Sequence, residues 1–376
     1  MKVFIIHASA GAGHRKAAEA LYNAFTRCAA GQVTVEKIDA LDFSSSIFRK
    51  SYPAVYIFLV TYIPFVWGIL FYLLNFSPLA PFIRIIRHQA NAFYCRNLIR
   101  YILTEQPDVV VCEHFLSAEL VSALKQQGRY TGTVITGVTD FGVHLFWINP
   151  GTDYYFVASD MTKDELSAKG VPAEKVMVTG IPIEEKFSQN PGKSAMRAKL
   201  GLKANVFTVL VTSGGFGVGP LVDIVRSLER MEYDLQMMVI CGKNEPLVQL
   251  FEKEKFTKNV KVFGYVHNMD ECMEAADVII TKSGGLTVSE SLAKGLPMII
   301  TKPIPGQETR NAEVIEQYHI GMRLLKVNLI TEKIGFLLKD DQRRLNEMRK
   351  NARNLARPDA ADRMCQWIIK NVSAKK

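Results

Sequence analysis

Three observations predict an α/β chain folded as two doubly wound, Rossmann-like domains. Short apolar β-rich runs alternate with helical stretches along most of the chain, which is the pattern of parallel sheets wrapped by helices. A strand that runs into glycines and then a helix opens the chain, and the same sequence of elements restarts about 200 residues later. At 376 residues the chain is too long for one compact core and suits two domains.

The elements follow in order. Val3–His7 is the first strand, and an amphipathic helix runs from about Arg15 to Cys28 after a glycine turn. Val33–Ile38, Val109–Cys112, Thr133–Val138 and Tyr154–Ala158 are the next strands, with Pro107 and Asp108 marking the start of the third. In the second half Phe207–Thr212 ends in Ser213-Gly214-Gly215, and a helix follows around Leu221–Met231. Gln236–Cys241, Val260–Phe263, Val278–Thr281 and Met298–Thr301 continue the series. The expected division is a domain over 1–183, a Pro/Gly/Ser/Asn-rich linker at 184–204, a domain over 205–340, and terminal helices over 341–376. The tail breaks near Pro358, and its last helix is expected to cross back to the first domain. Ligands of doubly wound sheets bind beyond the carboxyl ends of the strands, so two such domains facing a cleft give it a binding edge on each wall.

Lys plus Arg is 46 against 37 Asp plus Glu, a surplus of +9 that favours anionic partners without choosing among phosphates, acidic membranes and nucleic acid. The six cysteines are scattered with no Cys-x-x-Cys pair, which argues against a zinc site or disulfide framework and fits a reducing cytoplasm. Val3–Ile6 is too short for the apolar region of a secretory signal. Between Lys50 and Arg84, however, lie 33 residues without a charge, rich in aromatics from Tyr56 to Phe76. Pro53, Pro64, Pro78 and Pro81 punctuate this stretch and leave no clean helix of about 20 residues for a span.

Three segments carry chemistry. In Ser9-Ala10-Gly11-Ala12-Gly13-His14, the glycines let the backbone approach a substrate and the following helix points its positive end at it. His14 at that mouth has the chemistry of a base, and a glycine turn with a capping histidine is the plainer alternative. No Gly-Lys-Ser/Thr follows, so this is not a P-loop. In Ser213-Gly214-Gly215-Phe216-Gly217, amide donors could cradle phosphate, or the glycines could simply form a turn. In the third, a strand enters Ser283-Gly284-Gly285 and a helix carries Glu290. This offers helix-start donors to a diphosphate and a carboxylate to ribose hydroxyls. Gln307, Glu308 and Asn311 follow on a proline-held loop, suited to sugar hydroxyls. His88, His114, His267 and His319 lack ligand spacing, and no Asp-x-Asp triplet occurs.

Gly284-Gly285-Leu-Thr287-Val-Ser-Glu290 followed by Gln307-Glu308-x-x-Asn311 resembles the donor half of GT-B glycosyltransferases. Gly11-Ala-Gly13-His14, Val138-Thr139-Asp140-Phe141 with His144 and Trp147, and Val178-Thr179-Gly180-Ile181-Pro182-Ile183 resemble the acceptor half of the monogalactosyldiacylglycerol synthases and bacterial diacylglycerol glucosyltransferases. The resemblance covers roughly residues 1–325, with the motifs in family order.

That resemblance implies an inverting hexosyltransferase that moves sugar from UDP-glucose or UDP-galactose to diacylglycerol or a glycosyl-diacylglycerol. His14 would be the base, with Asp140 orienting it, serving as base itself, or acting as a capping or hydrogen-bonded structural aspartate. Glu290 would bind ribose, and Gln307, Glu308 and Asn311 the sugar. Gly214, Gly215, Ser283, Gly284 and Gly285 would surround the diphosphate, Gly264, Tyr265 and Val266 the uracil, and Thr287 would also belong to the donor side. No metal or other cofactor is expected. Gly11, Gly13 and Trp67 would serve the acceptor side, and His144 and Trp147 would either touch the lipid acceptor or serve ordinary packing. The apolar insertion at about 51–83 would lie in the membrane interface, with Trp67 and tyrosines at headgroup level and Arg49, Lys50, Arg84, Arg87, Arg96 and Arg100 meeting anionic lipids. An internal hydrophobic hairpin is the alternative. The protein would then be monotopic, on the cytoplasmic face of the cell membrane. A peptidoglycan-precursor N-acetylglucosaminyl transferase shares the donor pattern, and a non-catalytic UDP-sugar and membrane sensor is a third class. Nucleic-acid binding fits the charge but has no supporting fold motif.

Overall fold

Runs of apolar residues buried on both faces form the central strands of two parallel sheets. The computed structural model describes residues 1–9, 11–75, 80–215 and 217–372, without the side chains of 80–85. Ala10, Phe76, Pro78 and Phe216, and the side chains of Pro81 and Arg84, lie outside the described residues. The chain forms two compact units. Unit 1 is Met1–Glu185, Ile304–Gln307 and Arg357–Lys376; unit 2 is Lys186–Pro303 and Glu308–Ala356.

Unit 1 begins with β1 (Lys2–His7), α1 (Ala12–Cys28) and β2 (Thr34–Asp39). Four helices follow, namely α2 (Ser46–Tyr62), α3 (Pro64–Leu74), α4 (Ala80–Tyr94) and α5 (Arg96–Glu105). The unit continues with β3 (Val109–Cys112), α6 (Phe115–Gln126), β4 (Thr133–Gly137), β5 (Tyr154–Val157), α7 (Asp160–Ala168) and β6 (Val176–Val178). The strand order is β2-β1-β3-β4-β5-β6, all parallel. After β1 the chain adds β2 on one side and then crosses to β3 on the other, so the switch point lies between the carboxyl ends of β1 and β3.

Helix α2 runs on through Pro53, and the break falls at Ile63–Pro64, where Pro64 takes the first position of α3 and the axis turns by 114°. Among the described residues no single helix is long and apolar enough to cross a membrane, while this bent pair passes by length and composition. Asn75 Oδ1 accepts from Leu145 N at 2.9 Å and His144 Nε2 donates to Phe71 O at 3.1 Å, which fastens the end of α3 to the segment after β4.

Unit 2 opens with α8 (Lys193–Lys199), inside the segment expected to be a linker. It continues with β7 (Phe207–Thr212), α9 (Leu221–Glu229), β8 (Leu235–Ile240), α10 (Glu245–Lys253), β9 (Val260–Phe263), α11 (Met269–Ala275) and β10 (Val278–Thr281). Then come α12 (Gly285–Ala293), β11 (Met298–Thr301), α13 (Gln307–Gln317), β12 (Gly321–Leu324), α14 (Ile330–Leu338) and α15 (Arg343–Leu355). The order β12-β11-β10-β7-β8-β9 is that of a Rossmann sheet, with its switch point between β7 and β10. Here α8 is held because Asp277 gathers Lys193 at 2.6 Å, Arg197 at 2.6 Å and Arg349 of α15 at 2.7 Å, and accepts from Thr208 N at 2.8 Å. Burial alone would push the Asp277 carboxyl up, but Lys193 and its other partners outweigh that and leave it below the usual carboxylate range. Asp277→Asn would strand the buried Arg197 guanidinium, so unfolding in urea should show a loss of about 3–5 kcal/mol. A loss below about 1 kcal/mol would rule out this cluster as the staple of unit 2.

The last helix, α16 (Ala360–Val372), returns to unit 1. Met364, Cys365 and Ile368 pack against Ala18, Leu21 and Phe25 of α1, and Trp367 sits edge-on to Tyr154 at 4.6 Å. Gly180 lies at φ +92°, and a Cβ there would come within 2.5 Å of Arg357 Cβ. The Val178–Ile183 motif is thus where the chain passes the start of that helix.

Candidate functional site

The loop after β1 and the start of α1 occupy the switch point of unit 1. Gly11 caps α1 in an extended conformation without a side-chain hydrogen bond, and the first turn holds no acidic residue. Gly11 therefore gives the first amides no capping side chain, and no acidic residue of the first turn offsets the positive end of the helix. A Cβ at Gly11 or Gly13 would meet nothing within 4 Å, so these glycines leave open space in front of the helix.

His14, on the first turn, aims Nδ1 at the main-chain oxygen of Glu113, 2.7 Å away at the end of β3. A carbonyl can only accept, so Nδ1 carries the proton and Nε2 keeps its lone pair. Thr139 Oγ1 stands 3.0 Å from the same Nδ1. The ring is half-buried, with His114 edge-on at 4.6 Å and Trp147 at 6.2 Å. Burial lowers its pKa to about 4, so the imidazole is neutral at physiological pH. Neutral, with Nε2 unprotonated, is the form a general base needs.

Beneath this pair the Glu113 side chain is fully buried, and neither carboxyl oxygen has a hydrogen-bond partner among the described residues. It fills the space over Gly137, where a Cβ would lie 2.7 Å from Oε1. Burial pushes this carboxyl up to about 8 from an ordinary 4.5. Between those values the native state keeps a proton that the unfolded chain releases, so this group lowers stability as pH rises through that window. Glu113→Gln removes the titration. The stability of the variant relative to wild type should therefore improve steadily from about pH 5 to pH 8, by on the order of a few kcal/mol at the upper end. A difference independent of pH would contradict a buried, protonated Glu113. The lowered His14 acts oppositely, costing stability as pH falls from 6.5 toward 4.

Three residues expected on the acceptor side are engaged by the fold. His144 accepts from Phe146 N at 3.1 Å while its other nitrogen donates to Phe71 O, so both ring nitrogens are committed to main chain. Trp147 is buried among Val138, Val143 and Tyr155. Trp67 is half-buried, edge-on to Tyr56 at 5.3 Å, and is not an exposed headgroup anchor; in this apolar hairpin it packs α3 on α2. Asp140 is half-buried beside Thr139.

The switch point of unit 2 is lined by two glycine loops. Gly214 and Gly215, after β7, are exposed. Gly217 lies at φ +63° and approaches so closely that a Cβ would fall 1.9 Å from Cys241 O. Tyr265 comes alongside Gly215, with Gly264 and Val266 partly open on either side. After β10, Gly284 caps α12 without a side-chain bond, and no acid stands in that first turn. Thr287 is partly open and Glu290 is buried on the same helix. Ser283 and Asn311 are fully buried and committed to the fold. Ser283 Oγ donates to Glu308 O at 2.6 Å, and Asn311 Nδ2 donates to Ser283 O at 2.8 Å. They clamp the glycine loop to α13, and Glu308 and Gln307 head that helix. Sequence reasoning missed Glu113 as the partner of His14, and Gly242. At φ +60°, Gly242 lets the turn after β8 lie against Gly214 and Gly215. Among the described residues no group of three His, Cys, Asp or Glu side chains is placed to hold a metal.

Comparison with known proteins accords with this geometry. A model of the monogalactosyldiacylglycerol (MGDG) synthase family matches residues 14–183, and one of the glycosyltransferase family 28 C-terminal domain matches residues 208–364. Over 376 residues the chain is 33% identical to the processive diacylglycerol beta-glucosyltransferase of Bacillus cereus strain AH187, covering 98% of this chain and 93% of that protein. The crystal structure of Acinetobacter baumannii MurG has a TM-score of 0.65 at 14% identity, covering 98% of this chain and 99% of that one. Anabaena HepE in complex with UDP-glucose has a TM-score of 0.58 at 13% identity, with the same coverage. The fold is that of a GT-B glycosyltransferase. Within that class, the chain belongs to the family of monogalactosyldiacylglycerol synthases and bacterial diacylglycerol glucosyltransferases.

Proposed function

We propose that the protein transfers a hexose from a UDP-sugar to diacylglycerol, or to a glycosyl-diacylglycerol, with inversion at the anomeric carbon. The observation that carries the mechanism is His14, neutral and with its proton fixed on Nδ1 by the Glu113 carbonyl. Nε2 accepts the proton of the acceptor hydroxyl as its oxygen bonds to the anomeric carbon and the bond from that carbon to the UDP oxygen breaks. Gly214, Gly215, Gly284, Gly285 and Thr287 receive the diphosphate. Their amides and the start of α12, whose first turn carries no acid, meet the charge that develops on the leaving group, so no metal is required. Glu290 holds ribose, Gly264, Tyr265 and Val266 border the uracil, and Gln307 and Glu308 read the sugar. The name of the Bacillus cereus relative favours UDP-glucose over UDP-galactose.

Attachment to the membrane is part of the proposal. Ile47, Phe58, Tyr62, Phe65, Ile69 and Tyr72, all large and apolar or aromatic, are exposed on α2 and α3, and exposed apolar surface of this kind marks an interaction site. Lys50, Arg96 and Arg100 are exposed, whereas Arg87 is spent on Glu119 at 2.6 Å and over the Phe146 ring. A protein lying in the cytoplasmic interface of an anionic bilayer fits this surface.

Mass spectrometry of lipids made from mixed UDP-sugars, in chelator, on vesicles of phosphatidylglycerol and diacylglycerol tests the reading. Hexosyl-diacylglycerol is the expected product. Sugar added only to a polyprenyl-linked precursor, or to no lipid, would overturn it, and failure of the intact protein to float with the vesicles would overturn the attachment.

A further inference from the structure

A groove of about 660 Å³ runs along α3, lined by Phe65, Gly68, Ile69, Tyr72 and Leu73 and closed on one side by Pro305. Pro305 belongs to Ile304–Gln307, the segment that joins unit 1. Two glycines bring helix and loop together. At Gly68 a Cβ would come 2.9 Å from Pro305 Cβ, and at Gly306, φ +93°, one would fall 2.4 Å from Phe71 Cδ1. Gln307 Nε2 donates to Tyr56 OH at 3.0 Å, fixing the far end of the segment to α2.

The walls offer almost nothing polar, and no charged residue lies between Lys50 and Arg84 to supply any. A headgroup, a sugar or a peptide backbone would lose its hydrogen bonds there, whereas hydrocarbon loses none. The volume falls within the range of about 300–1,000 Å³ common to small-molecule clefts. The groove opens onto the exposed apolar side chains of α3, so a chain can enter it without crossing water. Among the described residues, its wall outside α3 is Pro305, two residues before Gln307, which heads α13 and is proposed above to meet the donor sugar. We propose that this groove holds one fatty acyl chain of the diacylglycerol acceptor, which seats the glycerol end of that lipid beside Gln307 at the start of α13. The proposal rests on the acceptor assigned above.

Two arms test it. Leu73→Trp fills the groove from a half-exposed position, so the ratio of kcat/KM for dioleoyl- over dioctanoylglycerol should fall about tenfold relative to wild type. In the second arm, wild-type protein on phosphatidylcholine vesicles is photolabelled with a diazirine placed in the acyl chain of either diacylglycerol or phosphatidylcholine. Labelling of residues 65–73 by diacylglycerol should exceed that by phosphatidylcholine several-fold at equal mole fraction. An unchanged chain-length ratio in folded Leu73→Trp, or equal labelling by the two lipids, would overturn the groove as an acceptor site, the latter meaning mere contact with the bilayer. If wild type glycosylates no diacylglycerol, the acceptor assignment falls by itself, and the labelling comparison still decides the groove.

Discussion

His14→Ala is expected to lower kcat about 10²–10⁴-fold while the affinity for UDP changes less than about twofold. The variant deletes the group at the start of α1 whose protonation state suits it to accept a proton. Glu113 O holds the hydrogen on Nδ1, and burial keeps the ring neutral down to about pH 4. The glycine loops and Glu290 proposed to hold the donor lie in unit 2, so a binding isotherm for UDP should be left almost unaltered. Steady-state kinetics with saturating UDP-sugar, beside calorimetry with UDP, separates the two quantities. Turnover within tenfold of wild type would remove His14 as the base and leave Asp140 as the residue to test.

Glu290→Gln should act in the opposite place, weakening UDP about 10- to 100-fold. A buried carboxylate accepting hydrogen bonds from two vicinal hydroxyls contributes about 1.5–3 kcal/mol, and the amide loses both the charge and one acceptor. The control is 2′,3′-dideoxy-UDP, which has no hydroxyls for the carboxylate to hold. Wild type and variant should bind this analogue equally. An equal loss for both nucleotides would mean that Glu290 supports α12 and does not touch ribose.

Most of the strands that sequence made legible are central ones, buried along their length, and therefore read as apolar runs; the partly buried edge strands β2 and β9 are exceptions. Val109–Cys112, Phe207–Thr212, Val260–Phe263, Val278–Thr281 and Met298–Thr301 match the observed elements end to end. The two that were missed, β6 and β12, are sheet edges. One has three residues, and the other mixes Gly321 with Arg323, whose guanidinium turns to Glu316 at 2.6 Å. His14 was visible because glycines and a histidine stand together in the chain. Glu113 and Thr139 were not visible as its partners, since they meet it only through the placement of β1, β3 and β4 side by side, which no local pattern encodes. The same limit explains His144, Ser283 and Asn311. Their residue types suit ligands, and only the fold reveals that neighbouring main chain already occupies their hydrogen bonds.

The return of α16 to unit 1 governs the order in which the protein can be made. A ribosome adding about 5–20 residues per second finishes the strands of unit 1 long before residues 360–372 emerge. Until then Ala18, Leu21 and Phe25 lack the cover that Met364, Cys365 and Ile368 provide. Unit 2, complete by residue 356, can therefore mature first, with the older half of the nascent chain waiting on the newest helix to close its core.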